Sequence, residues 1–167
     1  MRRMRPEPLE AAAFAPFGAV IEALGSSEAI NDGTTQRFSN LATLDLRAPR
    51  SDPVIGIYVA SARAFPLRIA RLERHRQAAQ VFLPLGSQRF IVVVGGVADS
   101  PQWEGLRAFL SAPGQGVSLA RGCWHHGLIA LGDGDRFAVI EGGSYREDTR
   151  EAAAPRVIEL AVPSDLR

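Results

Sequence analysis

Residues 72–86, LERHRQAAQVFLPLG, carry an acid and a histidine two apart and a glutamine five residues further on. In a β-strand, side chains at i and i+2 share a face, so Glu73 and His75 point the same way. A carboxylate beside an imidazole can move a proton or contribute two ligands to a divalent metal. Gln80 has the opposite parity. It joins the pair only if the chain turns over residues 76–79 and starts a new strand, as a hairpin would. The alternative is an exposed hairpin edge with solvated charges. A second segment, RGCWHHGLIAL (121–131), holds adjacent histidines that point to opposite faces of a strand, so only one of His125 and His126 enters a given cavity. All three histidines of the chain lie in these two segments. Cys123 precedes His125 by two, but no Asn or Asp orienter accompanies it, and a small buried thiol fits better than a Cys–His nucleophile.

The elements that must position these groups read as short strands. The segments VIEAL, VIGIYVA, PLRIARLERH, QVFLPLG, RFIVVVGGV, LRAFLSA, GVSLAR, WHHGLIAL and RFAVIEGGS are strand-like, with Gly and Pro between them. PGQG (113–116) and GDGD (132–135) read as hairpin connections. RFIVVV is apolar enough to be covered on both faces. Residues 8–17 predict one short helix, with Leu9, Phe14 and Phe17 against a core and Gly18 ending it. Many short strands with little helix predict an all-β sandwich or barrel. No repeat or linker divides the chain, so residues 1–167 read as a single domain.

Composition narrows the function classes. The chain has 167 residues, 46% hydrophobic and 22% charged, with a formal net charge of +1. No global field therefore recruits nucleic acid or an anionic membrane. The arginines at 68, 71, 74 and 76 are interrupted by Glu73 and lack interleaved aromatics, which argues against nucleic-acid binding. Apolar runs are too short for a membrane helix. The N-terminal stretch begins like a signal peptide, but Glu7, Pro8, Glu10, Pro16 and Gly18 break it before an apolar core forms. With one cysteine and hence no internal disulfide, a cytoplasmic location is expected. Trp103 and Trp124 are expected in the core or an interface.

The spacing resembles a known architecture. Glu73-x-His75-x4-Gln80 has the offsets of the first cupin motif, His-x-His-x4-Glu, and ends on a similar Pro-x-Gly at Pro84 and Gly86. RGCWH resembles the second cupin motif, with Gly122 three residues before His125. Together, LERHRQAAQVFLPLG and WHHGLIAL resemble the ureidoglycolate lyase family. LEAAAFAPFGAVIE, INDGTTQRFSNLA and LRAFLSAPGQGVSLARGCWHHGL also resemble family segments, so the likeness runs from Leu9 to Gly143. In two places the chain departs from the family: Arg76 stands where a proline is usual, and Val59 where an arginine is expected.

The resemblance implies a cupin-type double-stranded β-helix (a jelly-roll barrel) with a short N-terminal helix. It also implies cleavage of (S)-ureidoglycolate to glyoxylate and urea in allantoin and purine breakdown, by a cytoplasmic homodimer. Within it, His125, His75 and Glu73 are the catalytic candidates, and Asn31, Arg37, Arg63 and Gln80 the substrate-binding ones. Two readings of the pocket stand. Glu73, His75, Gln80 and His125 hold a divalent metal such as nickel or manganese, or the pocket works without a metal. Gln80 in place of a carboxylate favours the second. No organic cofactor, nucleic acid or membrane partner is implied. The alternatives in function are another metal-dependent cupin enzyme acting on a small 2-hydroxy or 2-keto acid, and a non-catalytic module that binds a glyoxylate-like acid.

Overall fold

The computed structural model describes residues 1–46, 52–143 and 145–162. The strands are β1 (Arg2–Met4), β2 (Glu7–Pro8), β3 (Gly18–Ile21), β4 (Glu28–Ile30), β5 (Thr35–Arg37), β6 (Pro53–Ala60), β7 (Leu67–Arg68), β8 (Arg71–His75) and β9 (Gln80–Pro84). They continue as β10 (Phe90–Val97), β11 (Arg107–Leu110), β12 (Gly116–Leu119), β13 (Cys123–His125), β14 (Ile129–Ala130), β15 (Asp135–Gly142), β16 (Thr149–Ala153) and β17 (Ile158–Leu160). Among the described residues, helix is confined to α1 (Ala11–Phe14), α2 (Tyr145–Asp148) and one 3-10 turn at Trp103–Gly105. The structure is all-β, as the resemblance implies. The expected helix over 8–17 shrinks to α1, yet Leu9, Phe14 and Phe17 are buried as their apolar character requires.

Two sheets face one another. The first runs β16-β8-β13-β10-β11-β2, with β14 also on β10, and the second runs β3-β12-β9-β15-β6. Alternation divides their side chains into layers. Phe90, Val92 and Phe109 of the first sheet meet Phe82, Val117, Phe137 and Val139 of the second in one core, where Phe14 packs edge-on against Phe109 at 5.3 Å. Residues of opposite parity, Ile91 and Val93 on β10 and Leu72 on β8, face outward. There they pack with Leu67, Ile158 and Leu160 from a third, small sheet ordered β1-β17-β7. The first sheet is thus buried on both faces, which is why RFIVVV carries no polar alternation.

The two expected hairpin turns are corrected. PGQG leads from β11 in the first sheet to β12 in the second, and GDGD leads from β14 to β15, again between sheets. Gly114 and Gly134 do take the left-handed conformation expected of such turns, at φ +80° and +79°. Turn chemistry specifies that local bend but not the strand on which the chain lands. Residues 76–79 behave likewise, since β8 and β9 belong to opposite sheets and do not pair. A hairpin does form at Asn31-Asp32-Gly33, between β4 and β5, as an exposed two-stranded ribbon.

Candidate active site

Alternation on β8 sends Leu72 into the outer core and turns Arg74 onto the face of Trp124, 4.7 Å from its ring centroid. The residues between them, Glu73 and His75, therefore face the space between the two sheets. On the neighbouring β13, Cys123 and His125 face inward while Trp124 faces outward, its indole N–H donating to the Ala98 carbonyl at 3.0 Å. Gly122, at φ +80°, bends the chain into β13 and donates its N–H to the His75 carbonyl at 2.7 Å. His125 then stands opposite Glu73 in the ladder.

Three groups converge as a result. His125 Nε2 is 3.6 Å from Glu73 Oε1, and the rings of His75 and His125 lie 5.4 Å apart. One ligand atom from each of Glu73, His75 and His125 falls within 4.8 Å of the others. Gln80 arrives from the opposite sheet, where Leu119 is its partner on β12. Its side chain bonds Glu141, whose charge acts on His75, so Gln80 is linked to the trio through that carboxylate rather than across a turn.

Hydrogen bonds fix which atoms face the pocket. His125 Nδ1 donates to the Cys123 carbonyl at 2.9 Å, which puts its proton there and leaves Nε2 bare. Thr149 Oγ1, 3.2 Å from His75 Nδ1, accepts in the equivalent tautomer of His75. Gln80 Nε2 donates to Glu141 Oε2 at 2.8 Å, so the amide presents Oε1 instead. His75 Nε2, His125 Nε2 and Gln80 Oε1 are all buried without a hydrogen-bond partner among the described residues. Buried polar atoms are nearly always paired, so the unpartnered Nε2 atoms of His75 and His125, grouped with Glu73, could take a ligand. The donor set, two imidazole nitrogens, a carboxylate and an amide oxygen, fits a divalent metal.

Burial also sets the charge of the histidines. His125 is 1% exposed, and desolvation lowers its pKa from 6.5 to about 4. His75 is lowered as well, first by burial and then by the nearby His125, against the opposing pull of Glu73, Asp148 and Glu141. Both rings are therefore neutral near pH 7. The sequence made either histidine a ready base. In the fold, burial disfavours the imidazolium and suits both rings to accepting hydrogen bonds or ligating a metal. Cys123 is pushed up to about 12 by burial, an inert thiol as expected.

The remaining candidates are scattered. Arg63 lines a cleft of about 350 Å³ that Glu73 and His126 also line. Asn31 and Arg37 are not brought to the histidines: both are exposed on the β4–β5 ribbon, Asn31 donating to Thr35 and Arg37 paired with Glu28 at 2.5 Å. Val59 is 69% exposed on the outer face of β6, so the missing arginine does not leave a gap between the sheets. Two buried acids escaped the sequence reading. Glu141 shares inward parity with Phe137 and Val139 on β15, an available but unused signal, and Tyr58 donates to its Oε1 at 3.5 Å. Asp148 accepts the backbone N–H groups of Arg76 and Gln77 at 3.0 and 2.8 Å. The Arg76 bond is one a proline could not make.

A family model described as ureidoglycolate lyase matches residues 1–161. Relatives named ureidoglycolate lyase include one from Azotobacter vinelandii, 46% identical over 142 residues that cover 84% of this chain and 86% of the relative. One from Burkholderia mallei is 39% identical over 161 residues, covering 96% and 94%. Among solved structures, an rmlC epimerase of Mycobacterium tuberculosis matches with a TM-score of 0.45 at 17% identity, over 77% of this chain and 64% of its own.

The depressed His125 pKa ties stability to pH. Unfolded, His125 takes up a proton near pH 6.5, but in the fold only near pH 4. The unfolded state thus binds more protons in that window, so stability is complete above it and falls as the pH drops through it, by on the order of a few kcal/mol. Denaturation midpoints of metal-free protein between pH 7 and 4.5 are expected to show this fall, and His125→Gln to make it shallower, with the lowered His75 supplying the remainder.

Proposed function

The chain belongs to the ureidoglycolate lyase family, and we propose that it cleaves (S)-ureidoglycolate to glyoxylate and urea, a step of allantoin and purine breakdown. The observation that carries this reading is the set of orphaned acceptors, His75 Nε2, His125 Nε2 and Gln80 Oε1, beside the Glu73 carboxylate. A carbinolamide presents a hydroxyl and N–H groups, which need acceptors of this kind.

In the reaction, the hydroxyl oxygen loses its proton and forms the carbonyl, the C–N bond breaks, and the leaving urea nitrogen gains a proton. Glu73, half-buried and next to His125, is the group we assign to carry that proton from oxygen to nitrogen, so that it ends the cycle as it began. The neutral histidines accept from the substrate's N–H groups, which leaves the single hydroxyl proton to Glu73. Glu141, fixed by Gln80 and Tyr58, holds the Gln80 amide so that its oxygen faces the substrate. His75, His125 and Glu73, with Gln80, would hold a divalent metal, which would supply Lewis-acid polarisation of a substrate oxygen. The single cysteine supports a cytoplasmic setting.

Urea and glyoxylate release from (S)-ureidoglycolate, assayed with and without added Ni²⁺ or Mn²⁺, tests the reading. We expect turnover by the parent chain, a loss of at least a hundredfold in kcat/KM in Glu73→Gln, and comparable losses in His75→Ala and His125→Ala. Absence of product above background in every condition overturns it.

A homodimer belongs to the same reading. Edge strand β6 carries Ile55, Ile57 and Val59 on its outer face at 72, 50 and 69% exposure. Soluble proteins ordinarily guard such an edge with charge or a bulge, and an uninterrupted β-branched stripe suits a second copy instead. Sedimentation is expected to give twice the mass of the 18.0 kDa chain, and Ile55→Asp with Val59→Asp to give the monomer.

A further inference from the structure

The cleft beside Glu73 contains more cationic groups than the fold uses. It measures about 350 Å³ and is lined by Arg63, Arg68, Arg71, Glu73, His126 and Glu151. Among the described residues, the Arg63 and Arg68 side chains make no hydrogen bond or ion pair, and both are exposed. Arg71 is held only loosely, 3.8 Å from Glu151, with both side chains largely in solvent. Ion pairs of that kind contribute little to stability, so packing does not explain three guanidinium groups around one cavity. The cleft adjoins the reactive trio. Glu73 lines it while Glu73 Oε1 lies 3.6 Å from His125 Nε2, and a Cβ placed on Gly127, another lining residue, would stand 3.9 Å from that same oxygen.

We propose that this cleft is a subsite for a ureido acid, with the carboxylate taken by Arg63 and Arg68 and the N–H groups turned toward Glu151 and Glu73. The inference rests on the lyase reading and deepens it by saying how the substrate is held. Its basis is charge complementarity. A plain anion would meet the carboxylates of Glu73 and Glu151 as well as the arginines, whereas a molecule with a carboxylate at one end and N–H donors at the other satisfies both. Planar guanidinium groups are suited to bidentate carboxylate contacts. Of the two arginines singled out in the sequence, Arg63 keeps its place in the clamp, and Arg68 takes the position that Arg37, on its distant ribbon, does not fill.

N-carbamoylglycine, a ureido acid without the hydroxyl, cannot undergo the elimination and reports binding alone. Titration calorimetry is expected to show it binding the parent chain and binding Arg63→Ala and Arg68→Ala at least tenfold more weakly, with partial recovery in Arg63→Lys. Gly127→Val, which crowds the cleft without removing charge, is expected to weaken it too, and Arg3→Ala, on a remote surface pair, to leave it unchanged. The amide of the same ligand, lacking the carboxylate, is expected to bind weakly and to be indifferent to Arg63→Ala. All these side chains are exposed or replace a glycine at an ordinary φ, and unchanged thermal midpoints verify folding. Failure of N-carbamoylglycine to bind the parent chain, or equal binding by the folded arginine variants, overturns the subsite. Arginine-dependent binding without urea release from ureidoglycolate would overturn the lyase reading and leave the subsite standing. Turnover with an unaltered KM in Arg63→Ala and Arg68→Ala would do the reverse.

Discussion

Two hydrogen bonds to a single carboxylate hold the pocket together. Asp148 is 5% exposed and takes the backbone N–H groups of Arg76 and Gln77, the first two residues after His75. Over 76–79 the chain leaves one sheet and enters the other, and a slip of one residue would turn Gln80 away from the histidines. By pinning the start of that crossing, Asp148 fixes both His75 at the end of β8 and Gln80 at the start of β9. Thr149, next in sequence, is opposite His75 in the ladder and beside its Nδ1, so one short segment positions that ring and partners its Nδ1. Arg76 replaces the usual family proline at the position whose N–H the carboxylate uses.

The electrostatics follow from the same burial. Imidazoles enclosed between two apolar sheets lose the hydration that stabilises their cations, so they stay neutral and offer lone pairs. Backbone and hydroxyl partners occupy the Nδ1 atoms, and both Nε2 atoms are left for a ligand. Gln80 is treated the same way, since Glu141 takes its N–H and exposes its oxygen. A glutamine where cupins often place a carboxylate looked like a weakened ligand. In the fold a carboxylate is nearby, one strand over, and serves to orient the amide. Charge that can move is kept at the margin, on the half-exposed Glu73 and the arginines of the cleft.

Much of this was legible in the sequence because strand parity is strict. Glu73 and His75 had to share a face, His125 and His126 had to part, and Leu9, Phe14 and Phe17 had to be buried. Other features depended on information the local sequence does not carry. Gly-rich turns report a bend but not the sheet beyond it, so PGQG and GDGD read as hairpins when they are crossings. Strands of two to five residues such as β2, β7 and β17 are too short to show a period. Asn31 and Arg37 were assigned by likeness to family segments, which gives an order along the chain and not a location in space. Glu141 and Asp148 were missed for opposite reasons. The parity of Glu141 was available in RFAVIEGG, whereas Asp148 acts on backbone groups 71 and 72 residues away.

In the proposed reaction, one pocket where the two sheets meet holds the reacting carbon of a ureido acid between the histidines and Glu73. A crystal structure of the protein with N-carbamoylglycine tests this most directly. The expected result places the glycine carbon beside His75 Nε2, His125 Nε2 and Glu73, with the carboxylate directed to Arg63 and Arg68. A ligand found ordered elsewhere, on the β4–β5 ribbon with Asn31 and Arg37 for example, while those atoms remain unpartnered, would contradict it.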